Sequence, residues 1–463
     1  MIEEQALVDY IASRRWFGSK TRELTGARIV ETIPLRTEVT PKLQLLLVEV
    51  RFPEGTHEIY QLPVGLSEGW QGEEIAPGTY DALADPTLAR ELVHLIRSGR
   101  SVQGEEGVLE FGTVSGFAPL GGELTTSRLS PGEQTNTSVV FGEELILKAY
   151  RRLEAGINPE LEMLRFLTER SFPNVAALGG WYSYAGRPLD ATLGILQQFV
   201  PNGVDGWELA LDELTDAPDR FLRRLRRLGE VTGHMHAVLG SDSTDPSFCP
   251  EQPSVESLGL LTATVDEEIE RVFLELPDDN EAVAPIAGRG EEVRERLRAL
   301  THAGGTGRTI RHHGDFHLGQ TLWVAGAEGA SALGGDWVLL DFEGEPARSL
   351  TERRRKRSPL RDVAGMLRSF AYAASAAELL RGATTPAGWE SRAREEFVDG
   401  YLETVDTTLL PPGREATDRL LAVFELEKAV YELRYELNSR PDWVQIPVAG
   451  ILRLLDDAPV GAA

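Results

Sequence analysis

Two short segments in the C-terminal half of the chain contain side chains whose types and spacing suit phosphoryl transfer. The first contains Asp315 and, five residues later, Gln320. In this reaction a carboxylate accepts the proton of an acceptor hydroxyl and a side-chain carbonyl reaches a bound metal ion, and Asp315 and Gln320 have the spacing for these two tasks. The second segment places Asp341 at the end of an apolar run, with Glu343 two residues later. We therefore predict Asp315 as the catalytic base, and Gln320, Asp341 and Glu343 as ligands of Mg²⁺.

The same chemistry requires a lysine for the nucleotide phosphates and an acid that orients it. Lys148 lies inside the apolar run at residues 145–150, which reads as a strand, and a buried ammonium there needs a partner. A helix is predicted to begin at Asn158, and it carries Glu160 and Glu162. These two acids point about 200° apart on a helix, so only one of them can pair with Lys148. The sequence leaves the choice between them open.

Three histidines near Asp315 raise the alternative of a zinc site. His313 and His317 would be an i, i+4 pair on a helix, but Gly314 and Gly319 favour a loop. We therefore prefer a role for these histidines in holding the loop by hydrogen bonds.

The elements that must position these residues fall into three predicted domains. Residues 1–90 alternate short β-rich runs with Gly and Pro and are predicted to form a small separate cap. Residues 91–200 are predicted to be β-rich and to contain a hairpin that carries Lys148. Residues 201–463 show helical periodicity, with long amphipathic helices predicted at 218–239 and 362–380.

Two groups of basic residues have simple interpretations. His234 and His236 lie on the first of these long helices and are interpreted as packing residues. The run Arg353-Arg354-Arg355-Lys356-Arg357 is interpreted as a solvated loop, although its position after the Asp341 segment would place it near substrate.

Composition excludes several other classes of function. The 463 residues carry a formal net charge of −26, which would repel nucleic acid and anionic lipid. Cys249 is the single cysteine, so an internal disulfide and a thiolate cluster are excluded. The sequence has no apolar run of membrane-spanning length and no signal-peptide pattern at its start. We expect a cytoplasmic protein that binds neither nucleic acid nor membrane.

The last long helical segment has two distinct faces. Leu426, Ala429, Val430, Leu433 and Leu437 follow spacings of three and four and are predicted to pack inward. A second face presents aromatic and hydrogen-bonding groups suited to sugar rings and hydroxyls: Lys428, Tyr431, Glu432, Tyr435 and Ser439, extended by Arg440 and Trp443.

Motifs along nearly the whole chain point to one family. They are RWFG at 15–18, EQTNTS at 133–138, FVPNG at 199–203, DGWE at 205–208, HGDFHLGQ at 313–320, DFEGEP at 341–346, SPLRDVAGM at 358–366 and RPDW at 440–443. In these motifs and their order the sequence resembles the aminoglycoside-phosphotransferase-like small-molecule kinases and, among them, the bacterial maltokinases.

This resemblance implies an α+β fold with an N-terminal cystatin-like cap and a eukaryotic-kinase-like bilobal core. The core would have a β-rich intermediate lobe and a helical C-terminal lobe, with ATP between them. The implied reaction is the ATP- and Mg²⁺-dependent phosphorylation of maltose to maltose 1-phosphate, which feeds α-glucan and glycogen synthesis. The resemblance also suggests a trehalose synthase as a partner.

The resemblance assigns further residues. Besides Lys148 and the acids Glu160 and Glu162, the nucleotide-binding residues would be Thr135, Thr137, Ser138, Gln198 and Val200. The sugar-binding residues would be His313, Lys428, Tyr431, Glu432, Tyr435 and Arg440. Gln320 stands where many relatives carry Asn, and both side chains offer a carbonyl oxygen.

Three alternatives stay open. A kinase of another sugar, glucosamine in particular, would have the same core. A catalytically silent ATP-binding module is disfavoured, because Lys148, Asp315, Gln320 and Asp341 are all present. An antibiotic phosphotransferase would require an acidic pocket in place of the aromatic strip.

Overall fold

The computed structural model describes residues 2–456 except 116, 118–123, 125, 131–134, 278–279, 302–305 and 327–332. Of the EQTNTS motif at 133–138, residues 133 and 134 lie outside the described residues. The chain divides into two compact units, Met1–Pro201 and Asn202–Ala463. The proposed boundary between residues 90 and 91 stays a prediction.

An antiparallel sheet begins the first unit, in the order β1-β2-β3-β10 with β4 on β3. Its strands and the preceding helix are α1 (Glu4–Ser13), β1 (Gly26–Arg36), β2 (Lys42–Arg51), β3 (His57–Leu66), β4 (Thr79–Asp81) and β10 (Arg152–Leu153). Successive side chains of a strand point to opposite sides. Strand β2 has apolar residues at both sets of positions, so each of its faces packs in a core. Leu43, Leu45 and Leu47 enter one core cluster, and Leu46 and Val48 enter another that also contains residues of α1.

A second antiparallel sheet of the same unit has the order β5-β6-β11-β12-β9-β8-β7. Its elements are α2 (Pro86–Ser98), β5 (Ser101–Gln103), β6 (Gly107–Thr113), β7 (Ser127–Leu129), β8 (Thr137–Phe141), β9 (Leu145–Ala149), α3 (Pro159–Glu169), β11 (Leu178–Gly186) and β12 (Ala191–Gln198). Helix α2 begins after Asp85, whose carboxylate accepts the Thr87 amide, and ends at Gly99 with φ +61°. Local capping signals therefore account for both of its ends.

Helices dominate the second unit. They are α4 (Gly206–Asp216), α5 (Pro218–Leu239), α6 (Val255–Leu274), α7 (Gly290–Thr301), α8 (Leu350–Arg353), α9 (Leu360–Arg381), α10 (Trp389–Thr404), α11 (Arg414–Ser439) and α12 (Gln445–Asp456). A small antiparallel sheet contains β13 (Val204–Asp205), β14 (Thr321–Ala325) and β15 (Gly335–Leu339). Helices α5 and α10 approach closely, and glycines at the contact allow it. A Cβ on Gly229 would lie 2.0 Å from Phe397 O, and one on Gly400 would lie 2.1 Å from Arg226 O.

The predicted inward face of α11 is confirmed. Leu426, Ala429, Val430 and Leu433 are fully buried in a core shared with α6, α7 and α12, and Leu437 packs against it. Within the described ranges, no helix has the length and apolar character needed to cross a membrane.

The interpretation of the basic run as a solvated loop holds for Arg355, which is exposed in a bend, but not for the whole run. Its first residue, Arg353, ends helix α8. The Lys356 side chain is only 8% exposed, and its ammonium donates to the carbonyls of Pro246 and Cys249 and lies 2.6 Å from Glu251. Contacts of Lys356 with residues 246–251 thus fix this part of the run in place, which the charge pattern alone does not reveal.

Candidate active site

Lys148 lies on strand β9 of the first unit and is buried. Its Nζ is 2.8 Å from Glu160 Oε2, and the Tyr150 hydroxyl donates to the same oxygen at 2.8 Å. Asn158 caps helix α3 by accepting the Glu160 amide, which aims the first turn of α3 at the strand. This ion pair satisfies the ammonium that burial would otherwise penalise. Glu162 is half-buried one turn into the helix.

The predicted phosphate-binding hydroxyls lie beside the lysine strand. Ser138 on β8 is the cross-strand partner of Lys148, and Thr137 precedes it. Thr135 is an exposed residue in the bend before β8. The other two predicted nucleotide-binding residues, Gln198 and Val200, lie at and just beyond the end of β12.

Arg151 connects the N-terminal sheet to this hairpin. It is 1% exposed, and its guanidinium donates to Thr137 Oγ1 at 2.8 Å and to Asp81 Oδ2 at 2.6 Å. Asp81 also accepts the Tyr10 hydroxyl at 3.2 Å. Gln61 on β3 adds a second connection, since its amide donates to the Tyr150 carbonyl at 2.9 Å. The β8–β9 hairpin is therefore bound to residues of the predicted cap.

In the second unit, a buried carboxylate holds the loop that contains Asp315. Asp362, at the start of α9, accepts the amides of His313 at 2.7 Å and Gly314 at 2.9 Å. It also lies 3.0 Å from His236 Nε2, whose other ring nitrogen lies 3.1 Å from the Tyr401 hydroxyl. Gly314 has φ +88°, a conformation that favours glycine. The loop preceding Asp315 is thus held by a side chain of helix α9 and not only by its own turns.

The charge on Asp362 is stabilised in this position. Burial acts to raise the pKa of its carboxyl, but the neighbouring imidazoles of His312 and His236 and the hydrogen bond from His236 outweigh it and hold the pKa well below the usual value. Asp362 is therefore an anion at neutral pH and a strong acceptor for the loop amides.

His313 and His317 occupy different environments. The His313 ring donates from Nε2 to the Leu340 carbonyl at 2.7 Å and packs against Phe316 and Phe342. His317 Nδ1 accepts the Gly319 amide at 3.1 Å. Both contacts match the loop-holding role and not a shared zinc. The 1% exposure of His313 also leaves little of its ring for contact with a sugar.

The predicted metal ligands of this unit are adjacent. Gln320 Nε2 lies 3.3 Å from Asp341 Oδ2, and Asp341 has a backbone φ of +57°, an uncommon conformation that clusters at functional sites. Carboxylate and amide carbonyl oxygens are donors that Mg²⁺ accepts, and a turn of the Gln320 amide presents its oxygen. The donor set fits Mg²⁺.

Lys428 on α11 reaches the loop that contains Asp315. Its Nζ lies 4.0 Å from Asp315 Oδ1 and 3.2 Å from Glu345 Oε1. Burial acts to lower the pKa of this ammonium, but the carboxylates of Glu345 and Asp315 outweigh burial and raise it. Lys428 is therefore a permanent cation beside the predicted base.

Two cavities adjoin Asp315 and Lys428. The first, called here the aromatic cavity, has a volume of about 320 Å³ and is lined by Trp207, Tyr372 and Trp443 with Arg368, Glu432 and Arg440. The second, called the arginine cavity, has a volume of about 300 Å³ and is lined by five arginines, His312 and Tyr431. Of the predicted sugar-binding strip, Tyr431 lines the arginine cavity, Glu432, Arg440 and Trp443 line the aromatic cavity, and Lys428 lines both.

The acids near the aromatic cavity already have partners. Glu432 accepts two hydrogen bonds from the buried Arg368, at 2.9 and 2.7 Å. Glu436 binds Arg440 and the Tyr372 hydroxyl. Arg440 also lies over the rings of Trp443 and Tyr435, 4.9 and 5.6 Å from their centroids.

Several residues of this site were missed by sequence reasoning. Asp362 and Trp207 stand in motifs that were noticed but given no role, and Arg368 and Tyr372 lie on α9 without any local signal. His236 was interpreted as packing, whereas it binds Asp362. Tyr435, which was predicted to bind sugar, is 48% exposed and lies outside the lining of both cavities.

Comparison with known proteins gives two kinds of sequence match. A family described as the maltokinase N-terminal cap domain matches residues 10–85. A glucosamine kinase of Streptacidiphilus jiangxiensis is 27% identical over 357 residues, covering 74% of this chain and 76% of the relative. A glucosamine kinase of Mycolicibacterium smegmatis is 27% identical over 345 residues, covering 70% and 78%.

The fold is that of a solved glucosamine kinase in complex with glucosamine, ADP and inorganic phosphate. The TM-score is 0.71 at 21% identity, with 98% of this chain and 100% of that chain covered. The predicted fold class is confirmed: an α+β protein with an N-terminal cap and a kinase-like bilobal core.

Proposed function

We propose that this protein is an ATP-dependent sugar kinase and that its acceptor is maltose, phosphorylated at the anomeric hydroxyl. The cap match and the two relatives support a place in the phosphotransferase superfamily and activity on a sugar. The observation that carries the choice of acceptor is the aromatic cavity beside Asp315.

In this proposal each group of the site has one task. Asp315 accepts the proton of the sugar hydroxyl as that oxygen attacks the γ-phosphorus of ATP, and ADP leaves. Lys148, oriented by Glu160, binds the nucleotide phosphates. Gln320, Asp341 and Glu343 are the residues that would hold Mg²⁺, and the bound ion would neutralise charge on the phosphates. Lys428 places a positive charge 4.0 Å from Asp315 Oδ1.

The charges of the aromatic cavity favour a neutral sugar. An aminosugar ammonium needs an available carboxylate when it leaves water. Glu432 is already neutralised by Arg368, so a second cation there would compete with a buried ion pair. Trp207, Tyr372 and Trp443 instead line the cavity with aromatic surface of the kind that sugars contact, and Arg440 lies beside them with its guanidinium paired to Glu436.

Glucosamine is the second candidate, and the relatives favour it. Both curated relatives are named glucosamine kinase, whereas the maltokinase match is confined to residues 10–85. Asp315 itself could pair with an ammonium in a smaller acceptor.

A substrate panel with Mg-ATP separates these acceptors. Purified protein is incubated with maltose, glucosamine, glucose or kanamycin, and ADP release and the phosphorylated product are measured. We expect an acid-labile sugar phosphate from maltose, because the anomeric oxygen is the one phosphorylated. Phosphorylation of glucosamine with none of maltose would replace the first candidate by the second, and phosphorylation of neither would refute a kinase of these sugars.

A pair of variants tests whether the aromatic cavity binds the acceptor. Trp443 and Tyr435 both lie over Arg440, but only Trp443 lines the cavity. We expect Trp443→Ala to lower kcat/KM for the sugar by about tenfold, the value of one stacking contact of roughly 1.4 kcal/mol, with KM for ATP unchanged. Tyr435→Ala is the matched control. Equal effects of the two variants would contradict this placement of the sugar.

A further inference from the structure

A buried ion pair forms part of the wall of the aromatic cavity. Arg368 on α9 donates two hydrogen bonds, from Nε and Nη2, to Oε2 of Glu432 on α11, at 2.9 and 2.7 Å. Both residues line the cavity together with Asp315 and Lys428. The Arg368 side chain is only 2% exposed, so any effect that it has on a bound ligand passes through Glu432.

Helix α12 limits where the Arg368 guanidinium can lie. The third nitrogen, Nη1, is buried and has no hydrogen-bond partner in the described ranges of the chain. A Cβ on Gly450 of α12 would lie 2.2 Å from this nitrogen, so the glycine leaves the space that the guanidinium occupies. The guanidinium is therefore held between α12 on one side and the Glu432 carboxylate on the other.

This pairing leaves one oxygen of Glu432 open to a ligand. Both hydrogen bonds from Arg368 go to Oε2, and Oε1 has no donor among the residues that the structure describes. The Glu432 side chain keeps 11% of its surface exposed and lines the cavity. A carboxylate oxygen only accepts hydrogen bonds, so Oε1 is suited to a sugar hydroxyl.

The charges around this oxygen disfavour a cationic ligand. Two carboxylates line the cavity: Asp315 lies 4.0 Å from Lys428 Nζ, and Glu432 lies 2.7 Å from Arg368. Arg440 is a third cation of the lining. A hydroxyl can donate to Oε1 and leave the ion pair intact, whereas an ammonium would leave water beside three cations.

We propose that Arg368 is a positioning residue that makes the acceptor site selective for a neutral sugar. It holds Glu432 by Oε2, presents Oε1 to a hydroxyl, and cancels the charge that would otherwise attract an amino group. This inference rests on the proposed function, because it takes the aromatic cavity as the acceptor site. Without the guanidinium, Glu432 would become a counter-ion for an ammonium, and the preference would move toward an aminosugar.

Calorimetric titration of the full chain with maltose and with glucosamine, without nucleotide, tests this role. We expect the unmodified protein to bind maltose more tightly. In Arg368→Met, the Kd for maltose should rise about tenfold, and the ratio of the glucosamine Kd to the maltose Kd should fall by roughly 10- to 100-fold, as expected when a carboxylate loses its cation. Arg368→Lys keeps a cation beside Glu432 and should hold the ratio within about threefold of the original value.

Arg394→Met is the matched control. Arg394 lies 2.7 Å from the buried Glu425 on the same helix α11, and neither residue lines either cavity. Loss of this ion pair should lower stability but leave the ratio of the two Kd values within about threefold of that of the unmodified protein. A merely structural role for Arg368 predicts the same result for Arg368→Met.

Three results would overturn the proposal: an unchanged ratio in Arg368→Met, tighter binding of glucosamine than of maltose by the unmodified protein, or no binding of either sugar at millimolar concentration. If Arg368→Met does not fold, Glu432→Gln takes its place. Its amide oxygen would turn to Arg368 and its NH₂ group to the cavity, so maltose binding should weaken about tenfold, and unchanged binding would overturn the proposal.

ADP release with Mg-ATP tests the proposed function separately from this selectivity. A shifted ratio of Kd values without ADP release would refute the kinase and support the role of Arg368. ADP release with maltose and an unchanged ratio in Arg368→Met would support the kinase and overturn that role.

Discussion

Replacing Asp362 by Asn should disturb the loop that contains Asp315 while leaving the surroundings of Lys148 intact. Asp362 Oδ2 accepts the His313 amide and contacts His236, and Oδ1 accepts the Gly314 amide. Asn has one oxygen, which will take the position with two donors, so its NH₂ group will face the Gly314 amide. One charge-assisted hydrogen bond is then lost and the other two become neutral, a loss of about 2–4 kcal/mol in the free energy of unfolding.

The same change should reduce turnover. The released Gly314 amide directly precedes Asp315, and a displacement of the base by about 1 Å costs on the order of 10²-fold. We expect kcat to fall roughly 10- to 100-fold, while nucleotide affinity at Lys148, in the other unit, changes little. Urea unfolding gives the stability, and an ADP-release assay gives kcat and KM for ATP.

Low pH should mimic this substitution. Because the folded pKa of Asp362 is depressed, its contribution to stability is present above the unfolded value near 3.9 and is lost as pH falls further. Glu378→Gln, an exposed acid on the same helix, is the matched control. An Asp362→Asn protein within 0.5 kcal/mol of the unmodified protein and with unchanged kcat would refute this account of the loop.

Two further predictions concern other residues. Glu160→Gln should raise KM for ATP and lower turnover more than Glu162→Gln does, because Glu160 contacts Lys148 at 2.8 Å; equal and negligible effects in the ADP-release assay would exclude both acids. Burial lowers the pKa of His312 to about 4, so its contribution to stability is complete above pH 6.5 and is lost as pH falls from 6.5 to 4. Between these two pH values, the free energy of unfolding measured with urea should fall by roughly 2–3 kcal/mol less in His312→Gln than in the unmodified protein. An equal fall in the two proteins would contradict a buried neutral imidazole.

Local signals in the sequence, capping residues and apolar periodicity, predicted several helices well. Asn158-Pro159 begins α3, and the prediction of a helix at 218–239 coincides with α5. The helix predicted at 362–380 runs from Leu360 to Arg381. These boundaries depend on residues close in sequence, so a single chain is enough to place them.

The contacts that build the site depend on residues far apart, and there the sequence was silent. His236 binds Asp362 across 126 positions, and Arg368 binds Glu432 across 64. Helical periodicity placed Lys428, Glu432 and Tyr435 on one face, but it could not show that Glu432 is already paired or that Tyr435 faces solvent. Periodicity shows which side chains share a face of a helix. Whether those side chains are free to bind a ligand depends on residues of other helices, which the sequence does not reveal.

The most direct test of the central claim is a comparison of turnover and nucleotide affinity in Asp315→Asn. The substitution keeps the size of the side chain but removes the base that accepts the sugar proton, so its effect belongs to the transition state. With maltose and Mg-ATP, we expect kcat to fall by at least about 10²-fold, while the dissociation constant for ATP stays within about twofold of the unmodified protein. Near-normal sugar phosphorylation by Asp315→Asn would contradict the claim that this carboxylate is the catalytic base.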